Sequence, residues 1–161
     1  MKKIVLILSL AFFVGCSQKA DVDINSENFP DVNFRNYIIE NFEINDDGKL
    51  SDFEINLITK INVKRKNIHS LKGIEFFYNL KTIFCFENQI TELDVSQNKK
   101  LEWLWCEYNP LTTLDVSQNK KLKRLWCTNT DIQQEIYVWK GFQQSSVNVS
   151  ADEYVELFEK E

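Results

Sequence analysis

Three cysteines, Cys85, Cys106 and Cys127, recur at intervals of 21 residues. Thiols at a fixed spacing raise three chemistries: a disulfide, a metal centre and a nucleophile. On adjacent parallel strands, residues one repeat apart have Cα atoms about 4.8 Å apart, but their Cβ vectors point the same way, whereas a disulfide needs them to converge. Zinc takes four ligands in a tetrahedron, and three thiols in a straight file do not supply one. The cysteines therefore read as small buried hydrophobes. His69, the single histidine, has no acid or nucleophile near it in sequence and reads as a solvated or capping residue. Glu107 beside Tyr108 falls short of an acid–base pair. No nucleophile with its base, no paired carboxylates in a cleft and no open metal site is visible, so the chain is read as non-enzymatic.

The residues between the apolar places carry the other chemistry. On a strand, Leu104 and Cys106 share one face, and Trp103 and Trp105 share the other. Asn62, Phe84, Trp105 and Trp126 hold the same outward place in successive copies, flanked by Trp103, Arg124, Phe86, Glu107, Tyr108, Lys81 and Lys123. Aromatic side chains cover about 150–250 Å² each. Three or four together exceed the roughly 300–600 Å² of the largest apolar patch on a typical monomer. Such a patch marks a binding surface, unless the tail folds over it or the rings stack only to protect the sheet. Phe84, Trp103, Trp105 and Trp126 are the expected contacts, with Arg124 and Tyr108 adding polar and cation–π contacts. A protein or peptide partner suits an extended flat surface. A glycan is the alternative, because Trp faces also stack on sugar rings.

What must position these residues is a repeat. The copies are Leu80-x-x-Ile83-x-Cys85-x-x-Asn88-x-Ile90, Leu101-x-x-Leu104-x-Cys106-x-x-Asn109-x-Leu111 and Leu122-x-x-Leu125-x-Cys127-x-x-Thr130-x-Ile132. An insert, Leu-Asp-Val-Ser-Gln-Asn-Lys-Lys, stands at 93–100 and again at 114–121. Ile58, Ile61, Val63, Lys66 and Ile68 form a degenerate fourth copy. One repeat alone cannot bury its apolar face, but a stack can. The phrase resembles that of leucine-rich repeat proteins, in particular the bacterial class with repeats of about 21 residues. Leu93/Val95 and Leu114/Val116 match the second apolar pair of that class. The resemblance covers about 58–149, with Cys in place of the usual third Leu. It implies a solenoid whose short parallel sheet lines the concave face, with Asn88 and Asn109 bonding free backbone groups between coils.

The 161 residues, 43% apolar and 27% charged, suit one globular domain. The net charge of −5 speaks against a nucleic-acid footprint. At the N-terminus, Lys2 and Lys3 precede an apolar run, Ile4 to Val14, too short to span a bilayer. The run ends in Phe13-Val14-Gly15-Cys16, which resembles a bacterial lipoprotein signal. That resemblance implies cleavage after residue 15, a lipidated Cys16 and a tether over 16–26, and so a lipid-anchored place in the bacterial cell envelope. The outer membrane or cell surface is favoured.

Residues 27–57 form a different unit. Pro30 suits a first helical turn, and Phe34, Ile38 and Phe42 make one apolar stripe. The stretch from Glu43 to Glu54 resembles a calcium-binding EF-hand loop, which implies Glu43, Asn45, Asp47 and Glu54 as ligands, the Lys49 carbonyl as another and Ser51 holding a water. Glu43 departs from the motif's Asp. The same residues also read as a metal-free helix–turn–helix cap, with Ser51-x-x-Glu54 as a capping box and Phe53, Leu57 and Ile58 turned inward. A calcium-dependent adaptor is thus a further functional alternative.

The repeats run over 58–143. Beyond Ile132, Ile136 and Val138 echo Leu114 and Val116, and Val147 and Val149 echo Leu125 and Cys127. A last strand is expected near 145–149, and Gly141 marks a turn. Ser150-Ala151-Asp152-Glu153 reads as a capping box opening a helix with Tyr154, Val155, Leu157 and Phe158. The expectation is a solenoid of about five short strands with a helical cap at each end, 144–161 forming the last strand and the far cap.

Overall fold

The computed structural model describes residues 20–130, 135–142, 148–151 and 156–160. Strands β3 (Lys60–Asn62), β4 (Thr82–Phe84), β5 (Trp103–Trp105), β7 (Arg124–Trp126) and β9 (Asn148–Ser150) form one parallel sheet in that order. The middle residues Ile61, Ile83, Leu104 and Leu125 lie in register and are fully buried. Val63, Cys85, Cys106 and Cys127 make a second buried file, and Val95, Val116 and Val138 a third on the far side of the coil. There a second parallel sheet joins β6 (Leu114–Asp115), β8 (Glu135–Trp139) and β10 (Glu156–Lys160) in the order β10-β8-β6. The short apolar period repeats the same buried contacts once per coil, and the stack closes over what each coil leaves open. The leucine-rich repeat solenoid and its five-stranded sheet are as expected.

Each coil leaves its strand through a left-handed residue, Arg65, Glu87, Tyr108 or Asn129, with φ between 52° and 55°. The following place is the ladder position. Asn88 donates to the carbonyls of Val63 and Cys85 at 2.8 Å and accepts from Lys66 and Ile68. Asn109 repeats this one coil on. A second ladder runs on the other side: Asn98 donates to Ile74 and Phe77 carbonyls, and Asn119 to those of Val95 and Asn98. Both of these asparagines are fully buried. They fall at one fixed place of the repeated insert, whose polar composition reads as loop.

The N-terminal cap holds α1 (Val32–Phe42) and α2 (Asp52–Leu57), with β1 (Val22–Asp23) antiparallel to β2 (Lys49–Leu50). Phe34 and Ile38 are fully buried and Phe42 partly so, as the stripe predicts. Asp31, not Pro30, caps α1; its carboxylate accepts from Asn33 and Phe34 and, through the other oxygen, from His69. Pro30 lies two residues before the first helical residue, Val32, and not in the first turn. That aspartate fastens the cap to the first repeat insert and gives His69 its neighbour, at 3.8 Å.

Three expectations need correction. Ile58 is buried as expected, but Phe53 and Leu57 do not turn inward: they are 68% and 59% exposed, and Glu54 and Ile55 are buried in their place. The C-terminal stretch carrying Leu157 and Phe158 is the strand β10, not a helix, and it pairs with β8 from Glu156↔Glu135 to Lys160↔Trp139. Lys160 reaches over the Tyr137 ring at 4.1 Å to Asp115 at 2.7 Å, fastening this strand across the sheet. Burial would raise the Asp115 carboxyl, but Lys160 and Ser117 outweigh it and hold the group below its ordinary range. Finally, Val149 lies opposite Leu125 rather than Cys127. Val147, Asp152 and Glu153 of the expected capping box, and Tyr154 and Val155 of the expected helix lie outside the described residues.

Candidate functional site

The sheet's outward residues build one strip. Phe84, Trp105 and Trp126 are in register on β4, β5 and β7. Their rings follow one another at 4.6 Å, tilted by 40° between Phe84 and Trp105 and edge-on at 78° between Trp105 and Trp126. Phe86 adds a ring 6.3 Å from Trp105. These rings are half-buried, because each covers part of the next. Trp105 sits between two neighbours, and its indole Nε1 is buried without a hydrogen-bond partner. Stacking therefore protects the sheet at Trp105, while Trp103 and Trp126 are half-buried and keep part of their surface open.

Beside this row, Thr82, Trp103 and Arg124 form a second. The Arg124 guanidinium lies 4.9 Å from the Trp103 ring and 5.6 Å from that of Trp126. Lys60 lies over Phe84 at 4.8 Å and Lys64 over Phe86 at 5.8 Å. Five of the six expected contact residues thus come together. Tyr108 does not: it stands at the corner after β5, 55% exposed, with no ring contact to the strip among the described residues. Beyond Trp126 the row ends in Ser150.

The acids near the strip are engaged. Glu87 accepts both arms of Arg65 at 2.6 and 2.7 Å, and that bond holds its carboxyl below the ordinary range. Lys123 does the same for Glu102 at 2.6 Å. Glu107 accepts from Thr128 at 2.8 Å. Among the described residues Lys60, Lys64 and Arg124 form no ion pair, so the strip shows rings with unanswered cations lying on them.

Behind it, each thiol donates to a carbonyl of the next coil: Cys85 and Cys106 to Trp105 and Trp126 at 3.4 Å, Cys127 to Ser150 at 3.6 Å. All three are buried, and none is in a disulfide. The reading of small buried groups stands, with a hydrogen bond that the sequence analysis did not foresee. Burial pushes the Cys85 thiol up to about 12 and the Cys106 thiol well above its ordinary range. These three thiols should therefore resist thiol reagents near pH 8 in the folded chain and take up label in urea. The folded thiol keeps its proton where the unfolded thiol has lost it. Stability is complete below the ordinary thiol pKa and falls as pH rises through it toward 12, by about 1.4 kcal/mol per pH unit per thiol. Urea midpoints between pH 7 and 11 measure that slope, and Cys85→Ala flattens it.

The residues proposed for calcium are placed otherwise. Glu54 is 4% exposed; its carboxylate accepts from Ile44 N, Ser51 N and Ser51 Oγ, completing the capping box of α2. Glu43 accepts from Asp47 N, Asp47 accepts from Lys49 N, and Asn45 donates to Asp47. Among the described residues no group of three or more acids, cysteines or histidines is placed to hold a metal ion. The loop as folded forms the expected capping box of α2. Cys16 lies outside the described residues, among which no helix is long and apolar enough to cross a membrane.

No family model matches the chain. Over 70 residues, 44% of its length, it is 35% identical to Internalin J of Listeria monocytogenes serotype 4b (strain F2365), and the match covers 8% of that protein. Among solved structures, it is similar to the functional domain of InlJ from Listeria monocytogenes, which includes a cysteine ladder. The identity is 27%, over 88% of this chain and 30% of that one, with a TM-score of 0.70. Internalin C2 of Listeria monocytogenes str. 4b F2365 is 21% identical over 90% of this chain and 63% of that one, with a TM-score of 0.62, and shows the fold alone. The chain spans under a tenth of the curated relative and under a third of the InlJ domain. Fold and repeats are those of a leucine-rich repeat protein of bacterial type.

Proposed function

We propose that this leucine-rich repeat stack is a non-enzymatic binding module, held in the cell envelope by a lipidated Cys16, that recognises a protein or peptide partner through its aromatic concave face. The observation that carries this reading is the strip itself: Trp103 and Trp126 half-open, with Arg124, Lys60 and Lys64 lying on rings and without ion pairs. Rings give contact area at low entropic cost, and unanswered cations favour a partner with carboxylates or carbonyls to offer. The likeness to internalins supports a binding role rather than a catalytic one. Lipid anchoring rests on the Gly15-Cys16 junction after the apolar run.

A synthetic peptide library and a sugar array, each presented to the purified domain, test the reading. Retention is expected on peptides, with Trp126→Ala lowering affinity about 30-fold, the effect of removing a hot-spot residue worth about 2 kcal/mol. Retention on sugars alone transfers the face to a glycan. Silence on both, with Trp126→Ala without effect, rejects recognition by this face.

A further inference from the structure

The N-terminal cap carries an apolar face that the repeats leave uncovered. Phe53 and Leu57 lie one helical turn apart on α2, and Ile44, 48% exposed, joins Leu57 and the half-buried Phe42 along one open cleft. The fold fixes this rotation of α2. Glu54 and Ile55 are turned inward because the Glu54 carboxylate binds Ser51 and the backbone of Ile44. Three large apolar side chains are thus held toward solvent by a fully bonded capping box.

The chain enters the fold at this same helix. β1 pairs with β2, which leads directly into α2, and Ala20 and Val22 stand beside Ile55 in a neighbouring hollow. Cys16 lies four residues before Ala20, a reach of about 14 Å at full extension. A helix with its side chains is about 10–12 Å across. A bilayer holding acyl chains on Cys16 therefore lies within about a helix width or two of Phe53 and Leu57.

We propose that this face rests on the lipid surface, with Phe53, Leu57 and Ile44 entering the headgroup–acyl boundary beside the acylated Cys16. The inference rests on the anchoring half of the functional reading. Glu43 and Asp52 adjoin Ile44 and Phe53 in sequence, and Lys60 lines the same cleft, so charges of both signs meet the face and the lipid it suits is zwitterionic rather than anionic. Apolar side chains in the boundary add to the acyl attachment, as paired signals do for other anchored proteins.

The buried native thiols make a test direct, because a cysteine placed on the surface labels selectively. Full-length Phe53→Cys, Leu57→Cys and, as control, Lys72→Cys are labelled with an environment-sensitive fluorophore and reconstituted in phosphatidylethanolamine–phosphatidylcholine vesicles. Emission should shift to the blue at 53 and 57, with quenching by brominated lipid at least about twice that at 72. Equal quenching at all three overturns the inference. A blue shift without vesicles that grows with protein concentration also overturns it, in favour of a second copy of the chain. Mass spectrometry of the N-terminus reports separately whether Cys16 is acylated. If it is not, the same variants with a hexahistidine tag replacing residues 1–16, held on nickel-chelating lipid in those vesicles, read the face independently of the anchor.

Discussion

Asn109→Ala lowers the stability of the chain by about 3–5 kcal/mol, a large part of the 5–15 kcal/mol usual for a folded protein. The Asn109 side chain accepts from Ile90 N at 3.1 Å and donates to the carbonyls of Cys85, Cys106 and Glu107 at 3.0–3.1 Å. It is 3% exposed, so water does not readily replace it. Alanine leaves the Ile90 N–H and the Cys106 carbonyl unpaired, at about 1–3 kcal/mol each, while the Cys85 and Glu107 carbonyls keep Asn88 and Glu87 as donors. The groups concerned belong to two adjacent coils, and the loss falls in the middle of the stack. Thermal unfolding should move down by about 10 °C or more. Gln89→Ala, at an exposed place on the neighbouring coil, should stay within about 0.5 kcal/mol of the parent. A loss below about 1 kcal/mol for Asn109→Ala would show that the apolar files hold the coils together without the ladder.

Gly73→Ala is the second large effect, expected to cost about 3 kcal/mol or more. Gly73 has φ 102°, a backbone conformation that a side chain strains. A Cβ there would fall 2.3 Å from a Phe29 ring carbon and 2.7 Å from the Asn28 carbonyl oxygen. The carbonyl is backbone and cannot swing aside. Phe29 is fully buried, 5.7–6.3 Å from the rings of Phe34, Phe76 and Phe77, so it has nowhere to move. The close approach is what joins the cap to the first repeat. Gly48→Ala is the control: φ is 74° but nothing lies within 4 Å, so only the backbone term of about 1–2 kcal/mol applies. Urea melts of the two variants should therefore differ clearly. Equal losses would mean that the cap gives way around Phe29 without cost.

The repeats were legible because a period of 21 residues is a global signal that local ambiguity does not erase. It placed Leu104 and Cys106 inside and the indoles outside before any coordinate. Other misreadings were local. Leu157 and Phe158 after an apparent capping box read equally well as helix or strand, and pairing with β8 decides. Phe53 and Leu57 were turned inward on spacing alone, but a six-residue helix has too little pattern to set its rotation. The carboxylate of Glu54 sets it instead. In the expected calcium loop, the same carboxylate of Glu54 is engaged by Ser51 and the backbone of Ile44. Asn98 and Asn119 were missed because a polar insert reads as loop, although an identical Asn at a fixed place in two inserts was the available signal. The strip was half legible. Sequence gives which face each ring takes, not how far neighbouring rings cover each other, so the sealed Nε1 of Trp105 and the cations over Phe84 and Trp103 came only with coordinates.

The most direct test of the concave-face account is hydroxyl-radical footprinting of the chain with and without the ligand selected from the arrays. Oxidation should fall several-fold at Trp103 and Trp126 on ligand addition and stay constant at Phe53 and Leu57 on the cap. Unchanged oxidation of both tryptophans, with protection on the opposite side of the coil, would contradict it.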